Sequence, residues 1–408
     1  MGDLKKTGRT CTEGEDRRFF LRSRLIQRGK VAIFAFASLL LLLNNRQTSL
    51  MNGGTENVVV SPFVRQANED IKCKSNNGAL TSQPYSYIPS VFEQYIMDNK
   101  ETLGYETTGE ALADTCTLMK DETSPIYEQM QQYFADLEKY NNLIRNFQPL
   151  ADLRTQFNSD EEKERVCEAT KLHKDGLSAI FRSEQVSSSS NMGMMEPLLP
   201  TMRSHKICND FDTNLLAMDF LVHDFYSMCQ QLQKHSKLIF IDMGASLNFH
   251  EDINGEMPAI YIHSIYSKFG FKFDHIYAYE VDPKYPAKVY EVIPDELQSS
   301  WHWINVGVDA RKCAKMNPFT MIVDSFTPDD FIVVKLDIDT PVVEHALVKQ
   351  LREDPTLLQL VDHFYFEHHV HQKELAGPWT GTMEGSVGAS LELMNELRKN
   401  RVAAHYWP

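Results

Sequence analysis

Cysteine is scarce in this chain of 408 residues: seven occur, at positions 11, 73, 116, 167, 208, 229 and 313, with no C-x-x-C pair and no Cys/His zinc spacing. That pattern argues against structural zinc. No N-x-S/T glycosylation acceptor occurs, so the sequence offers no such support for a secreted or lumenal location. An excess of basic charge is missing too. The formal net charge is −15, which argues against nucleic acid as a partner, since phosphate binding needs clustered Lys and Arg.

Long hydrophobic runs are also absent, with one exception. VAIFAFASLLLLL, residues 31–43, follows the one basic cluster, which includes Lys5, Lys6, Arg17, Arg18, Arg28 and Lys30. Thirteen helical residues cover about 20 Å, short of the roughly 30 Å of an average hydrocarbon core. A retained signal anchor, a cleaved signal peptide and an organellar targeting segment all fit. The anchor is favoured, because the basic flank would keep residues 1–30 cytosolic and no small-x-small cleavage site follows Leu43. A short anchor suits the thinner membranes of the endoplasmic reticulum or Golgi, giving a single-pass type II protein with a lumenal C-terminal body. Cys11 would then be cytosolic, and the other six cysteines could form up to three disulfides whose pairing stays open.

Residues 44–83 are polar and rich in Asn, Gly and Ser, as in a flexible stem. Residues 84–183 read as a helical subdomain. Within it, 127–147 places Met130, Phe134, Leu137, Leu143, Ile144 and Phe147 on one helical face, and Ser159 with Glu162 reads as a capping box. Residues 184–204, with SSSSNMGMMEPLLP, read as a linker or exposed loop. From 205 to 408 strands alternate with helices: a helix near 214–233, then strands at 237–241, 275–279, 303–308, 331–336, 363–366 and 402–406, with helices near 258–269, 342–351 and 390–399 between them. The expected fold class is α/β, a doubly wound, mostly parallel sheet with an N-terminal helical stem and one short hydrophobic anchor.

Chemistry concentrates at two strand ends. KLIFIDMGAS ends an apolar run in Asp242-Met243-Gly244-Ala245-Ser246, and HIYAYEVDP ends the next in Glu280-Val281-Asp282. Ligands of parallel sheets collect outside the carboxyl ends of the strands. Gly244 would let the backbone turn sharply and its amides approach a ligand, and Glu280 would accept hydrogen bonds from a ribose.

These motifs give the C-terminal half a resemblance to the FkbM-type class I S-adenosylmethionine-dependent methyltransferases, over about residues 237–408. The family's D-x-G-A-N-x-G turn stands here as Asp242-Met243-Gly244-Ala245-Ser246-Leu247-Asn248, its E-P-D-P-like segment as Glu280-Val281-Asp282-Pro283, and its L-K-I-D-x-E-G segment as Val334-Lys335-Leu336-Asp337-Ile338-Asp339. Glu367-His368-His369 is similar to its E-x-H. Asn248 replaces the second glycine, an EDING insert follows His250, and Asp339-Thr340-Pro341 replaces an acid followed by Gly and Ala.

The resemblance implies a Rossmann-like methyltransferase fold binding S-adenosyl-L-methionine through Asp242, Gly244, Ala245, Ser246, Glu280 and Asp282. It also implies methyl transfer to a hydroxyl on a sugar or other small acceptor, glycan or small molecule. The protein would supply orientation and a base, with His369 the first choice and Asp339 and Glu367 beside it. His368 and His371 lie nearby, whereas His363, inside a strand, reads as core. A divalent cation held by Asp337, Asp339 and Glu367 is an alternative way to acidify the acceptor hydroxyl. Lys335, in a buried apolar run, should pair with an acid such as Asp337 or Glu367. Trp301 and Trp303 read as aromatic core or pocket lining. Two other functions compete: a glycosyltransferase with Asp337-x-Asp339 as a D-x-D metal site, and a methyltransferase-like interaction module without turnover.

Overall fold

The computed structural model describes residues 87–172, 194–247 and 258–408, all within one compact unit, Asp70–Pro408. The apolar block 31–43, the stem, Asn248 and the EDING insert lie outside the described residues. No helix among the described residues is long and apolar enough to cross a membrane.

Six strands form one all-parallel sheet: β1 Leu238–Met243, β2 His275–Tyr279, β3 Trp301–Ile304, β4 Phe331–Leu336, β5 His363–Phe366 and β6 Ala403–Tyr406. Their spatial order is β3-β2-β1-β4-β5-β6. This is an α/β fold with flanking helices, in the order of doubly wound nucleotide-binding sheets. Each residue of β1, β4, β5 and β6 is buried, which is why these strands read as near-continuous apolar runs rather than alternating ones. The chain reverses direction of sheet growth between β1 and β4, and the crevice of such a sheet opens at that switch point, beyond the carboxyl ends.

The helical region 84–183 is not a separate body; its described part packs into the same unit as the sheet. Tyr105 accepts a backbone hydrogen bond from Gly388, and Leu150 donates one to Lys268. The helix Tyr127–Asn146 forms as expected, but its buried face is Met130, Tyr133, Asp136, Leu137 and Tyr140. Phe134, Leu143 and Ile144 sit at the margin of the core. Ser159 caps the helix Asp160–Glu168 by accepting the Glu162 N–H.

The expectation of an exposed linker at 184–204 needs correction over its described part: every residue from Met194 to Ser204 is buried. Met194, Leu198, Leu199 and Met202 join the core. The segment can be buried because side chains satisfy its backbone. Met194 N–H donates to Asp224, Leu198 N–H to Glu93, and the Glu196 carbonyl accepts from Arg398. Asp224 also shortens the helix expected near 214–233: its carboxylate caps Phe225–Gln231 by accepting the Ser227 N–H.

Two disulfides, Cys116–Cys208 and Cys167–Cys229, close loops of 92 and 62 residues of sequence separation. Cys313 is disulfide-bonded as well.

Candidate active site at the β1/β4 switch point

Strand register builds the site. Asp242 lies beside Lys335 across the β1/β4 pair, and Met243 lies beside Tyr279 across β1/β2. Gly244, Glu280 and Asp337 therefore emerge together at the carboxyl edge of three neighbouring strands. Gly244 has φ +90°, and a Cβ there would stand 1.6 Å from the Asp337 carbonyl oxygen. Only glycine permits this turn to lie against the end of β4. The Gly244 and Ala245 amides do not face outward as expected; both donate to the Tyr279 carbonyl, at 3.0 and 2.9 Å. Ser246 N–H turns back to the Gly244 carbonyl. The parallel ladder reaches past the last strand residues and claims these donors.

Beneath the turn lies a buried ion network. Lys335 Nζ is 3.1 Å from Asp242 Oδ1 and 3.0 Å from Asp337 Oδ2, and it donates to the Gly244 carbonyl at 3.1 Å. Trp407 presents its ring to the same ammonium. Burial alone would lower the Lys335 pKa, but Asp242 and Asp337 outweigh it and hold the ammonium above its usual range. Asp337 feels the strongest opposition to its charge. Burial, aided by the neighbouring Glu367 charge, pushes its carboxyl well above the usual range against the pull of Lys335.

Glu367 ends the row. Burial pushes its carboxyl up, yet His369 and the Arg203 guanidinium pull it well below the ordinary carboxylate range. Arg203 Nη2 reaches Glu367 Oε1 at 2.6 Å with both side chains buried, and Trp379 covers the guanidinium. Two buried cations, Lys335 and Arg203, thus face the buried carboxyls of Asp242, Asp337 and Glu367, the pairing that buried charges require.

At the rim, Asp339, Glu367 and His369 converge, with one ligand atom of each within 4.8 Å of the others. His369 Nε2 is 3.1 Å from Glu367 Oε2 and 3.9 Å from Asp339 Oδ1, yet it makes no well-formed hydrogen bond. Its Nδ1 is fixed by the Thr382 hydroxyl at 2.9 Å. Asp339 is the exposed member, its side chain 67% accessible, and it adopts φ +52°, a conformation that Asp tolerates better than most residues. Glu344 supports this turn by accepting the Ile338 N–H at 2.9 Å.

The expected residues thus divide. Asp339, Glu367 and His369 meet. Asp337, expected as a metal ligand, is instead turned to Lys335, because a buried acid beside a buried ammonium pairs with it. Asp242, expected to hold a cofactor, has one oxygen on Lys335 and the other buried without a partner. Glu280 is half-buried, and its Oε1 accepts the Asp282 N–H at 2.7 Å. Asp282 is exposed, and Asn305 braces both Asp282 and Glu280 through their carbonyls. His368 leaves the site: it bonds Ser390, and burial lowers its pKa to about 3. His371 faces the Gly385 carbonyl. Trp301 packs in the core and Trp303 at its margin.

Arg203, Thr382, Glu344 and Asn305 were not evident beforehand. Asn305 was expected inside a strand at 303–308, but β3 spans Trp301–Ile304 and leaves it just past the strand end. Compared with protein-family models, curated proteins and solved structures, the chain matches none of them.

Proposed function

We propose that this chain is an S-adenosylmethionine-dependent methyltransferase that methylates a hydroxyl of a sugar or other small acceptor. The observation that carries the reading is the placement of the Glu280 carboxylate, the Gly244 turn and the Asp339–Glu367–His369 cluster along one carboxyl edge, at the ends of β2, β1, β4 and β5. The residues present fit an adenosyl ligand: Glu280 stands at the second strand end as a half-buried acid suited to vicinal ribose hydroxyls, and the buried Asp242 carboxylate still has an oxygen without a partner.

A bound sulfonium cofactor would supply an already activated methyl group, leaving the protein to orient and deprotonate the acceptor. Asp339 is exposed at the mouth and His369 buried behind it, so Asp339 meets the acceptor hydroxyl first and His369 Nε2 is the atom able to take its proton. Thr382 and Glu367 hold that imidazole in place. The same three side chains suit a hard divalent cation, which would acidify a bound hydroxyl. Asp337 does not share it, and its burial counts against a D-x-D nucleotide-sugar site, which needs both acids open to the metal.

The same features support reading the α/β fold as a Rossmann-like methyltransferase fold. Disulfides at Cys116–Cys208 and Cys167–Cys229 support an oxidising compartment, in keeping with an endoplasmic reticulum or Golgi protein anchored through residues 31–43. The test is incubation of the purified chain with isotopically methyl-labelled cofactor and a panel of saccharides and small alcohols, with and without Mg²⁺ or Mn²⁺. Label in an acceptor supports the reading. Turnover of a nucleotide-sugar with no methyl transfer contradicts it.

A further inference from the structure

A second cluster lies away from the crevice. His223, His363 and His405 are all buried, and one ring nitrogen of each lies within 4.8 Å of the other two. They come from 223, 363 and 405 in sequence, so no local spacing announces them. His363 opens β5 and His405 lies in β6 beside Tyr365. His223 immediately precedes the helix Phe225–Gln231, outside the sheet. His363 is four residues upstream of Glu367, about 13 Å along an extended strand, which separates this cluster from the Asp339–Glu367–His369 site.

The atoms are arranged as ligands and their supports. His405 Nδ1 faces Glu196 Oε1 at 2.8 Å. A carboxylate on the far nitrogen of an imidazole is the usual device for fixing the tautomer of a metal-binding histidine, and it leaves His405 Nε2 with a lone pair. That lone pair is 3.2 Å from His363 Nδ1. Two nitrogens on one tetrahedral zinc, each at 2.0–2.1 Å, stand about 3.3 to 3.4 Å apart. His223 Nε2 faces the Tyr365 hydroxyl at 2.5 Å, and its Nδ1 is buried without a partner.

Hydrogen bonds alone leave this group incompletely satisfied, since a buried orphan nitrogen costs about 1–3 kcal/mol.

We propose that His223, His363 and His405 form a buried zinc site, oriented by Glu196. The ion would fasten the segment carrying Glu196 and His223 to the β5–β6 edge of the sheet. Such a site would run against the expectation, drawn from the lack of Cys/His spacing, that the chain has no structural zinc.

The test is elemental analysis of the full chain after dialysis against zinc-free buffer, with X-ray absorption at the zinc edge. Wild type and D339N should each retain about one zinc per chain, with a nitrogen-rich shell at about 2.0–2.1 Å. H363N should lose zinc at least tenfold, and E196Q should bind it about 10- to 100-fold more weakly in competition with a chelator. If H363N does not fold, the wild-type absorption shell decides between an imidazole-rich and a carboxylate-rich site. Wild type that stays zinc-free when zinc is supplied overturns the proposal. So does zinc that is lost in D339N and kept in H363N, or an oxygen-dominated shell.

Discussion

Lys335 and Asp242 face each other across the β1/β4 pair, 3.1 Å apart and almost wholly inaccessible to water. Their charges lie directly under the turn that shapes the crevice, and Asp337 closes the pair from the other side. Breaking a buried pair costs far more than the pair itself contributes, because the remaining charge has no water to turn to. Lys335→Met should therefore destabilise the protein by about 3–5 kcal/mol, read from the denaturant midpoint. Adding Asp242→Asn should recover part of that loss. A single variant losing less than about 1 kcal/mol would show that the acids are neutralised by other means.

The Gly244 turn offers a sharper steric test. An alanine Cβ would meet the Asp337 carbonyl at 1.6 Å and sit at φ +90°, so the end of β1 must move away from β4. Gly244→Ala should lower stability by at least about 1–3 kcal/mol and abolish cofactor binding. Thermal unfolding and calorimetry on the same sample check both.

Glu344 provides a pH signature. Burial raises its carboxyl from 4.5 to about 7 against the pull of the Ile338 N–H. The folded state thus holds the proton more tightly than the unfolded state. Stability from this group is complete below about pH 4.5 and is lost as pH rises towards 7, up to about 3 kcal/mol in all. Gln cannot ionise but still accepts the Ile338 N–H. Between pH 5 and pH 8 the wild type should lose stability relative to Glu344→Gln, as measured by chemical denaturation; parallel curves would refute the shift.

The sheet was largely legible in the sequence because its central strands are buried on both faces, and such strands are apolar at every position. β2, β4 and β5 have the bounds that their apolar runs gave, and β1 extends to Met243 rather than stopping at Ile241. Composition misled at 194–204. Met, Pro and Ser suggested an exposed connection, but Asp224, Glu93 and Arg398 supply the hydrogen bonds that let it lie inside. The acids of the site were visible as strand-end residues, whereas their division of labour was not. Arg203 lies 164 positions from Glu367, and only the fold brings its charge there, freeing Glu367 to stay ionised. His223, His363 and His405 were hidden for the same reason.

The disulfides Cys116–Cys208 and Cys167–Cys229 tie the helical region to the segment leading into β1. Closing loops of this length restricts the unfolded chain strongly. Replacing either pair by serine should cost about 2–5 kcal/mol, visible as a lower thermal midpoint under non-reducing conditions. Equal midpoints for wild type and variants would show that neither link constrains the unfolded state.

Calorimetric titration of the purified chain with S-adenosylhomocysteine, wild type beside Glu280→Gln, bears most directly on the account. Wild type should bind at a single site, and Glu280→Gln should bind about 10- to 100-fold more weakly, the loss of charge-assisted hydrogen bonds to the ribose. No heat of binding from a folded wild type, or equal affinity in the two proteins, would contradict the assignment of the β1/β2 edge as an adenosyl site.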